Sequence, residues 1–485
     1  MTNLNLSNPD LLKTTCYVNG EWINAKSGKT IEVTNPADGS VLASVPSLSA
    51  EETADAITGA DEARGAWAKR TGKDRGAVLR KWFELIMQNQ EDLAILMTAE
   101  QGKPIAESRG EIAYAASFIE WFSEEAKRIY GDTIPSFSED RRIVILKQPV
   151  GVTAAITPWN FPAAMITRKA GPALAVGCTM VIKPASQTPL SALALCVLAE
   201  EAGIPKGVIS CVTGKASEIG GELTSNPIVR KLSFTGSTQI GKVLIKQCAD
   251  TVKRTSMELG GNAPFIVFDD ADIDAAIVGA VMSKYRNAGQ TCVCTNRFFV
   301  QDGIYDEFVE KFGIAVAALK VGAGLEEGNN VGPLIDDAAV AKVEALLEDC
   351  LKKGGKITAG GKRHALGQTF FEPTIVTDAT RDMAIFEDEI FGPVAPVFRF
   401  KTEEEAIALA NDTQYGLAAY FYGQNIARVF RVSEALEFGM VGVNQGIIST
   451  EVAPFGGVKE SGNGREGSMY GADEYLEIKY LCIGV

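Results

Sequence analysis

The chain has 485 residues, 46% of them hydrophobic, and a formal charge of −14, enough material for two or three domains with ordinary cores. No run of five or six basic residues and no stretch of roughly 18 apolar ones occurs, which excludes a nucleic-acid footprint and a membrane span. Nine scattered cysteines, a Cys-x-Cys without the histidines of a zinc site, and an N-terminus lacking a basic-then-apolar leader lead us to expect a reducing cytoplasm, no metal and no export signal.

In chain order, YVNGEWINA and TNPADGSVLASVP read as small strands with turns, followed by amphipathic helices from about Glu51 to Arg128. RRIVILKQP, within Gly131 to Pro149, is a β run, and EYLEIKYLCIGV closes the chain with another. Both read as unpaired edges that invite a second subunit, the alternative being that they pair with each other. Between Gly151 and Leu259 the strands VTAAITP, TMVIKP, GVISCVT, VRKLSFTG and RTSMEL alternate with helices. That spacing predicts βαβ units and a parallel sheet, with ligands at the carboxyl ends of its strands. A second alternating stretch, from APFIVFDD through RFFVQDG and YDEFVEKFGIAVAALK, reads as a separate α/β domain with Cys292 near its start.

The chemistry starts from Cys292 and Cys294 in GQTCVCTNR. The only histidine, His364, lies in the charged, Gly-rich GGKRHALG, so a thiol nucleophile needs another base, and Glu258 in TSMELGGN is the best placed to activate water. FTGSTQIG ends a strand with Gly236 and Gly241 around a turn that Ser237 or Thr238 can cap. The first glycine of a dinucleotide fingerprint is missing, so phosphate binding and a plain turn both stay open. Lys183 in KPASQTP follows a strand end, within reach of a ribose or phosphate, although a lone lysine there is usually solvated. Asn160 in ITPWNFP follows another; its amide can serve an oxyanion or simply a turn.

In order along the chain stand PWNFP, KPASQTP, FTGSTQIG, MELGGN, GQTCVC, EIFGPV, YGLAAY and PFGGVKESG, and with them the sequence resembles the aldehyde dehydrogenase superfamily over essentially its whole length. The resemblance implies an α/β fold of two domains plus a small β oligomerisation arm. Residues 1–127 and 150–258 form a modified Rossmann cofactor-binding domain, to which 451–470 return; 259–450 form the catalytic domain; 128–149 and 471–485 form the arm. Cys292 is the implied nucleophile, and the Asn160 amide and Cys292 N–H hold the oxyanion of a thiohemiacetal. Glu258 activates the water that hydrolyses the ensuing thioester, which argues against the CoA-acylating branch. Thr157, Pro158, Trp159, Lys183, Ser186, Gly236, Ser237, Glu389 and Phe391 match positions around NAD(P). A carboxylate at Ser186 would repel a 2′-phosphate; the serine leaves room, so NADP is expected to be accepted and preferred over NAD.

Within the superfamily, RNAGQTCVC, GIIS and SGNGREGS most resemble the bacterial succinate-semialdehyde dehydrogenases, which serve 4-aminobutyrate degradation. There Arg168 and Arg286 match residues binding the substrate's distal carboxylate, supported by Ser449; two guanidinium groups at one pocket are costly unless an anion is expected. Either arginine alone could instead be a salt bridge at a helix end. Glutarate semialdehyde, or a broader aldehyde range, is the alternative, since one methylene changes binding by only about 1–3 kcal/mol. Cys294 matches a partner that related enzymes join to the nucleophile in a reversible disulfide, against a reading as a small packed residue. The resemblance also implies a homodimer or homotetramer. With Cys292, Glu258 and Asn160 present, a non-enzymatic role is set aside, as is a cofactor-independent hydrolase by the FTGST turn, Lys183 and Glu389.

Overall fold

The five strands expected between Gly151 and Leu259 form the parallel centre of an eight-stranded sheet in the computed structural model, which describes residues 4–485. Across the sheet the order is Gly462–Asn463, Arg254–Glu258, Val229–Thr235, Val152–Ile156, Thr179–Lys183, Ile209–Cys211, Cys16–Val18 and Glu21–Ile23. Buried between helices on both faces, these strands are near-continuous apolar runs rather than alternating ones. Strand order reverses between Val152–Ile156 and Val229–Thr235, which opens a crevice at the carboxyl edge. Register puts the relevant strand ends in one row: Ile156 opposite Lys183 and Phe234, and Thr235 opposite Glu258.

The second domain is a seven-stranded sheet ordered Lys356–Ala359, Thr374–Thr377, Val394–Phe400, Thr295–Gln301, Ala263–Val267, Ala418–Tyr422 and Met440–Val443, parallel except at its first pair. Its core is aromatic: Phe265 stacks on Tyr422 with centroids 5.1 Å apart and tilts against Phe298 at 5.2 Å, so truncating Phe265 to Ala would cost about 3–5 kcal/mol. The link between the sheets is Gly260–Gly261. A Cβ on Gly261 would lie 2.2 Å from the Cys292 carbonyl oxygen, so only glycine lets the second domain bring the Cys292 loop against the strand end that carries Glu258.

The helical region resolves into Ala50–Lys69, Gly72–Gln88, Gln90–Gln101 and Ile105–Glu125. Ser49 and Glu52 cap the first reciprocally, and Gly102, at φ +94°, ends the third. Among the described residues no helix is long and apolar enough to cross a membrane.

The two terminal β runs correct the expectation of two unpaired edges. Arg141–Pro149 and Leu476–Gly484 pair with each other over nine residues, and Asp132–Ile134 covers the other side of the first. The pairing is local because Val150 N–H bonds the Tyr475 carbonyl, so both strands leave the first domain side by side. Among the described residues the outer edge of Leu476–Gly484 has no pairing strand, and Ile478, Tyr480 and Ile483 are exposed.

Candidate active site

Two cavities meet at Cys292. The first, of about 390 Å³, lies at the crevice and is lined by Trp159, Asn160, Gly236, Glu258, Glu389 and Phe391 among others; the second, of about 270 Å³, is lined by Tyr114, Phe161, Arg168, Arg286, Ser449 and Phe455. Cys292 and Met165 line both. The thiol sits on the loop before Thr295–Gln301, after a backbone that passes through left-handed conformations at Asn287 (φ 51°) and Ala288 (φ 54°). For alanine that conformation is strained, and strain of this kind concentrates at functional loops. Burial pushes the Cys292 thiol up to about 12; the Arg168 charge opposes this, while Glu389 and Glu258 add to it.

Glu258 ends its strand 3% exposed, and neither carboxylate oxygen has a hydrogen-bond partner among the described residues. Burial, then repulsion from Glu466, pushes its carboxyl well above the ordinary range, against the pull of Arg168, Lys169 and Arg465. Glu466 itself binds Lys169 Nζ at 2.5 Å and lies 2.8 Å from Arg168 Nε. Lys169 Nζ also donates to Thr235 Oγ1 at 2.6 Å. Two cations thus hold Glu466 ionised and leave Glu258 as the proton-accepting carboxyl of the pair. Lys169 and Glu466 went unremarked in the sequence, although Lys169 is the neighbour of Arg168 and Glu466 lies in SGNGREGS.

The Asn160 amide is 4% exposed, and Nδ2 donates one proton to Gln290 O at 3.0 Å; its second amide proton is left for an acceptor in the cavity. Opposite, Trp159 and Phe391 meet edge to face at 5.6 Å, and Phe391 is held at φ 53°. Glu389 accepts from Gly261 N–H at 2.9 Å, and burial raises its carboxyl to about 7. Gly236 is cramped: a Cβ there would lie 2.4 Å from the Phe234 ring. Ser237 caps Thr238–Cys248 through Ile240 N–H, placing a helix N-terminus at the carboxyl edge of the sheet. Glycine backbone, helix terminus, aromatic pair and carboxylate together fit a dinucleotide.

Lys183 is buried at the end of its strand, not solvated. Its Nζ donates to Pro184 O at 2.9 Å, and burial lowers it to about 8. Thr157 is buried beside it, its N–H on Lys183 O at 3.1 Å, and Ser186 follows half-buried. None of these three lines either cavity, whereas Pro158 and Ser237 line the first. In the second cavity Arg168 lies 3.8 Å over the Phe455 ring with Nη2 unpartnered among the described residues. Arg168 is therefore both a salt bridge and a cavity residue. Arg286 lies 5.4 Å from the Phe161 ring and carries no ion pair among the described residues. Cys294 is buried, its Sγ donating to the Lys284 and Thr295 carbonyls at 3.4 Å.

Residues 22–481 match the model of the aldehyde dehydrogenase family. The chain is 65% identical to a glutarate-semialdehyde dehydrogenase of Pseudomonas aeruginosa and 62% identical to an NADP(+) succinate-semialdehyde dehydrogenase of Escherichia coli, each over 99% of this chain and 100% of the relative. A solved structure of an Escherichia coli NADP dependent enzyme superposes with a TM-score of 0.99 at 62% identity, covering 99% of this chain and 100% of that one. With a thiol, a buried carboxylate and a crevice that fits a dinucleotide meeting in one place, and agreement running from end to end, the chain belongs to the aldehyde dehydrogenase family and is an aldehyde dehydrogenase.

Proposed function

We propose that the enzyme oxidises succinate semialdehyde to succinate with NAD(P)+. The observation that supports this reading is the second cavity: it shares Cys292 with the crevice and presents the Arg286 guanidinium and the Arg168 Nη2, both without an ion-pair or hydrogen-bond partner among the described residues. A buried guanidinium, Arg168, beside a half-buried one, Arg286, favours a planar anion, so the distal carboxylate of a short aldehyde docks there, with Ser449 alongside, and its carbonyl carbon reaches Cys292. Once the Cys292 thiol has lost its proton to solvent, attack by the sulfur makes a tetrahedral adduct whose oxyanion accepts hydrogen bonds from the second Asn160 amide N–H and the Cys292 N–H. The crevice would hold the cofactor through Gly236, Ser237, Trp159, Glu389 and Phe391, with Lys183 at the adenine-side ribose. When bound, the nicotinamide supplies the acceptor for the hydride lost as the thiohemiacetal becomes a thioester. Glu258 then takes a proton from the water that attacks the thioester and releases the acid. Ser186, in place of a carboxylate, favours NADP.

Glutarate semialdehyde is the second reading, favoured by the name of the Pseudomonas aeruginosa relative. Both substrates use the same arginines. The domain roles follow the same reading: the eight-stranded sheet carries the cofactor, the seven-stranded sheet carries Cys292, and the arm joins subunits through its open edge. Cys294, two residues from the nucleophile, is proposed as its partner under oxidation, which needs the loop to move because its thiol is packed against backbone carbonyls. Replacing Arg286 and following KM for charged and uncharged aldehydes tests the substrate reading directly.

A further inference from the structure

A buried ion pair that the chemistry above does not use holds Asn160 in place. Lys103 Nζ and Glu111 Oε2 are 2.5 Å apart, with both side chains 1% exposed. Lys103 follows the Gly102 that ends Gln90–Gln101, and Glu111 lies in the second turn of Ile105–Glu125. The Lys103 ammonium donates to the Asn160 carbonyl at 2.6 Å and lies 4.0 Å from the centre of the Phe161 ring. Glu111 Oε1 accepts from Ala163 and Ala164 N–H at 3.0 and 3.2 Å. Those bonds cap Ala164–Val176, whose own N-cap, Ala163, offers no side chain. The pair therefore grips the Asn160–Ala164 segment at both ends.

The other side is gripped as well. Asn287 Nδ2 donates to Asn160 O at 3.1 Å and Gln290 O at 3.2 Å, and Gln101 Nε2 bonds Asn287 Oδ1 at 3.0 Å. The Asn160 carbonyl so collects two donors, while its side-chain amide shares the acceptor Gln290 O with Asn287. Stability alone is a weak reason for such an arrangement, because apolar residues of similar volume often replace a buried ion pair without loss. Precise placement of one amide is a better one: a displacement of about 1 Å at a catalytic group costs on the order of 10²-fold in rate.

We infer that Lys103 and Glu111 are positioning residues that fix the Asn160 side-chain amide toward the oxyanion. The inference rests on the reading of Asn160 as the oxyanion donor. The test is a double-mutant cycle in the full-length enzyme with Lys103→Met and Asn160→Ala, measuring kcat, KM for aldehyde and the dissociation constant of the cofactor. Each single change should lower kcat on the order of 10²-fold with cofactor binding unchanged. The double variant should be no slower than Asn160→Ala alone, because Lys103 then has no amide left to place. If Lys103→Met keeps wild-type kcat, or costs the same factor with and without the Asn160 amide, the inference is wrong. If Asn160→Ala itself leaves kcat intact, the oxyanion reading fails first, which is a separate result. Should Lys103→Met not fold, Glu111→Gln runs the same cycle, since it keeps an acceptor for Ala163 and Ala164 while removing the charge.

Discussion

Glu258→Gln should turn steady catalysis into a single turnover. Glutamine has nearly the shape of the side chain it replaces, and neither Glu258 oxygen has a hydrogen-bond partner to lose among the described residues, so the substitution removes the proposed base and little else. General-base catalysis supplies about 10²–10⁴-fold, or roughly 3–5 kcal/mol of barrier, and that loss should fall on thioester hydrolysis. Acylation should be spared: burial and the Glu389 and Glu258 charges raise the Cys292 thiol, so removing one of those charges eases thiolate formation. Stopped-flow recording of reduced cofactor should show a burst near one equivalent per site, followed by a steady rate lower by about 10²–10⁴-fold. Equal slowing of burst and steady phases, or no burst, would refute the role. Stability gives an independent readout. Burial raises the folded-state carboxyl of Glu258, so native protein holds that proton more tightly than unfolded chain. Its stabilising contribution is full below the unfolded value of about 4.3 and is lost as pH rises through the raised folded value. Glu258→Gln should therefore melt higher than wild type at neutral and alkaline pH, with the gap closing toward pH 4.

Other outcomes follow from the same geometry. Arg286→Met should raise KM for a carboxylate-bearing aldehyde by about 10–100-fold, the worth of a charge-assisted hydrogen bond, and leave an uncharged aldehyde unaffected; steady-state kinetics with both decide it. Ser186→Glu should move preference toward NAD, read as the ratio of kcat/KM for the two cofactors. Glu466→Gln removes the charge that raises Glu258 and frees Lys169 and Arg168 to favour its anion, so the acid limb of the pH-rate profile should shift to lower pH. It should also lower stability by about 3–5 kcal/mol by leaving buried cations unpaired, visible as a lower Tm.

The parallel strands were legible in the sequence because burial on both faces makes them apolar runs, and the motifs at their carboxyl ends put Asn160, Lys183, Gly236 and Glu258 at one edge before any coordinates. What escaped were relations between distant positions. Lys169 and Glu466 are 297 residues apart, and nothing in either stretch announces a shared charge network. Lys183 was placed at the ligand edge, but its burial was not legible, because a lysine carries no local mark of burial. The arm strands seemed to need a partner subunit because alternation reports a free face but not register, and only the Val150–Tyr475 contact shows that the two strands start together. Lys103, just past a helix-ending glycine, and Glu111, one more helical glutamate, show no shared role until folding brings both to the Asn160 segment.

Selection of an aldehyde with a distal carboxylate is the role proposed for Arg168 and Arg286. Initial rates of reduced-cofactor formation with succinate semialdehyde, glutarate semialdehyde and an uncharged aldehyde of similar length, each with NADP and with NAD, test it most directly. A clear preference for the two semialdehydes, strongest for succinate semialdehyde with NADP, is the predicted result. Equal kcat/KM for the uncharged aldehyde would overturn that role and leave the two arginines as structural charges.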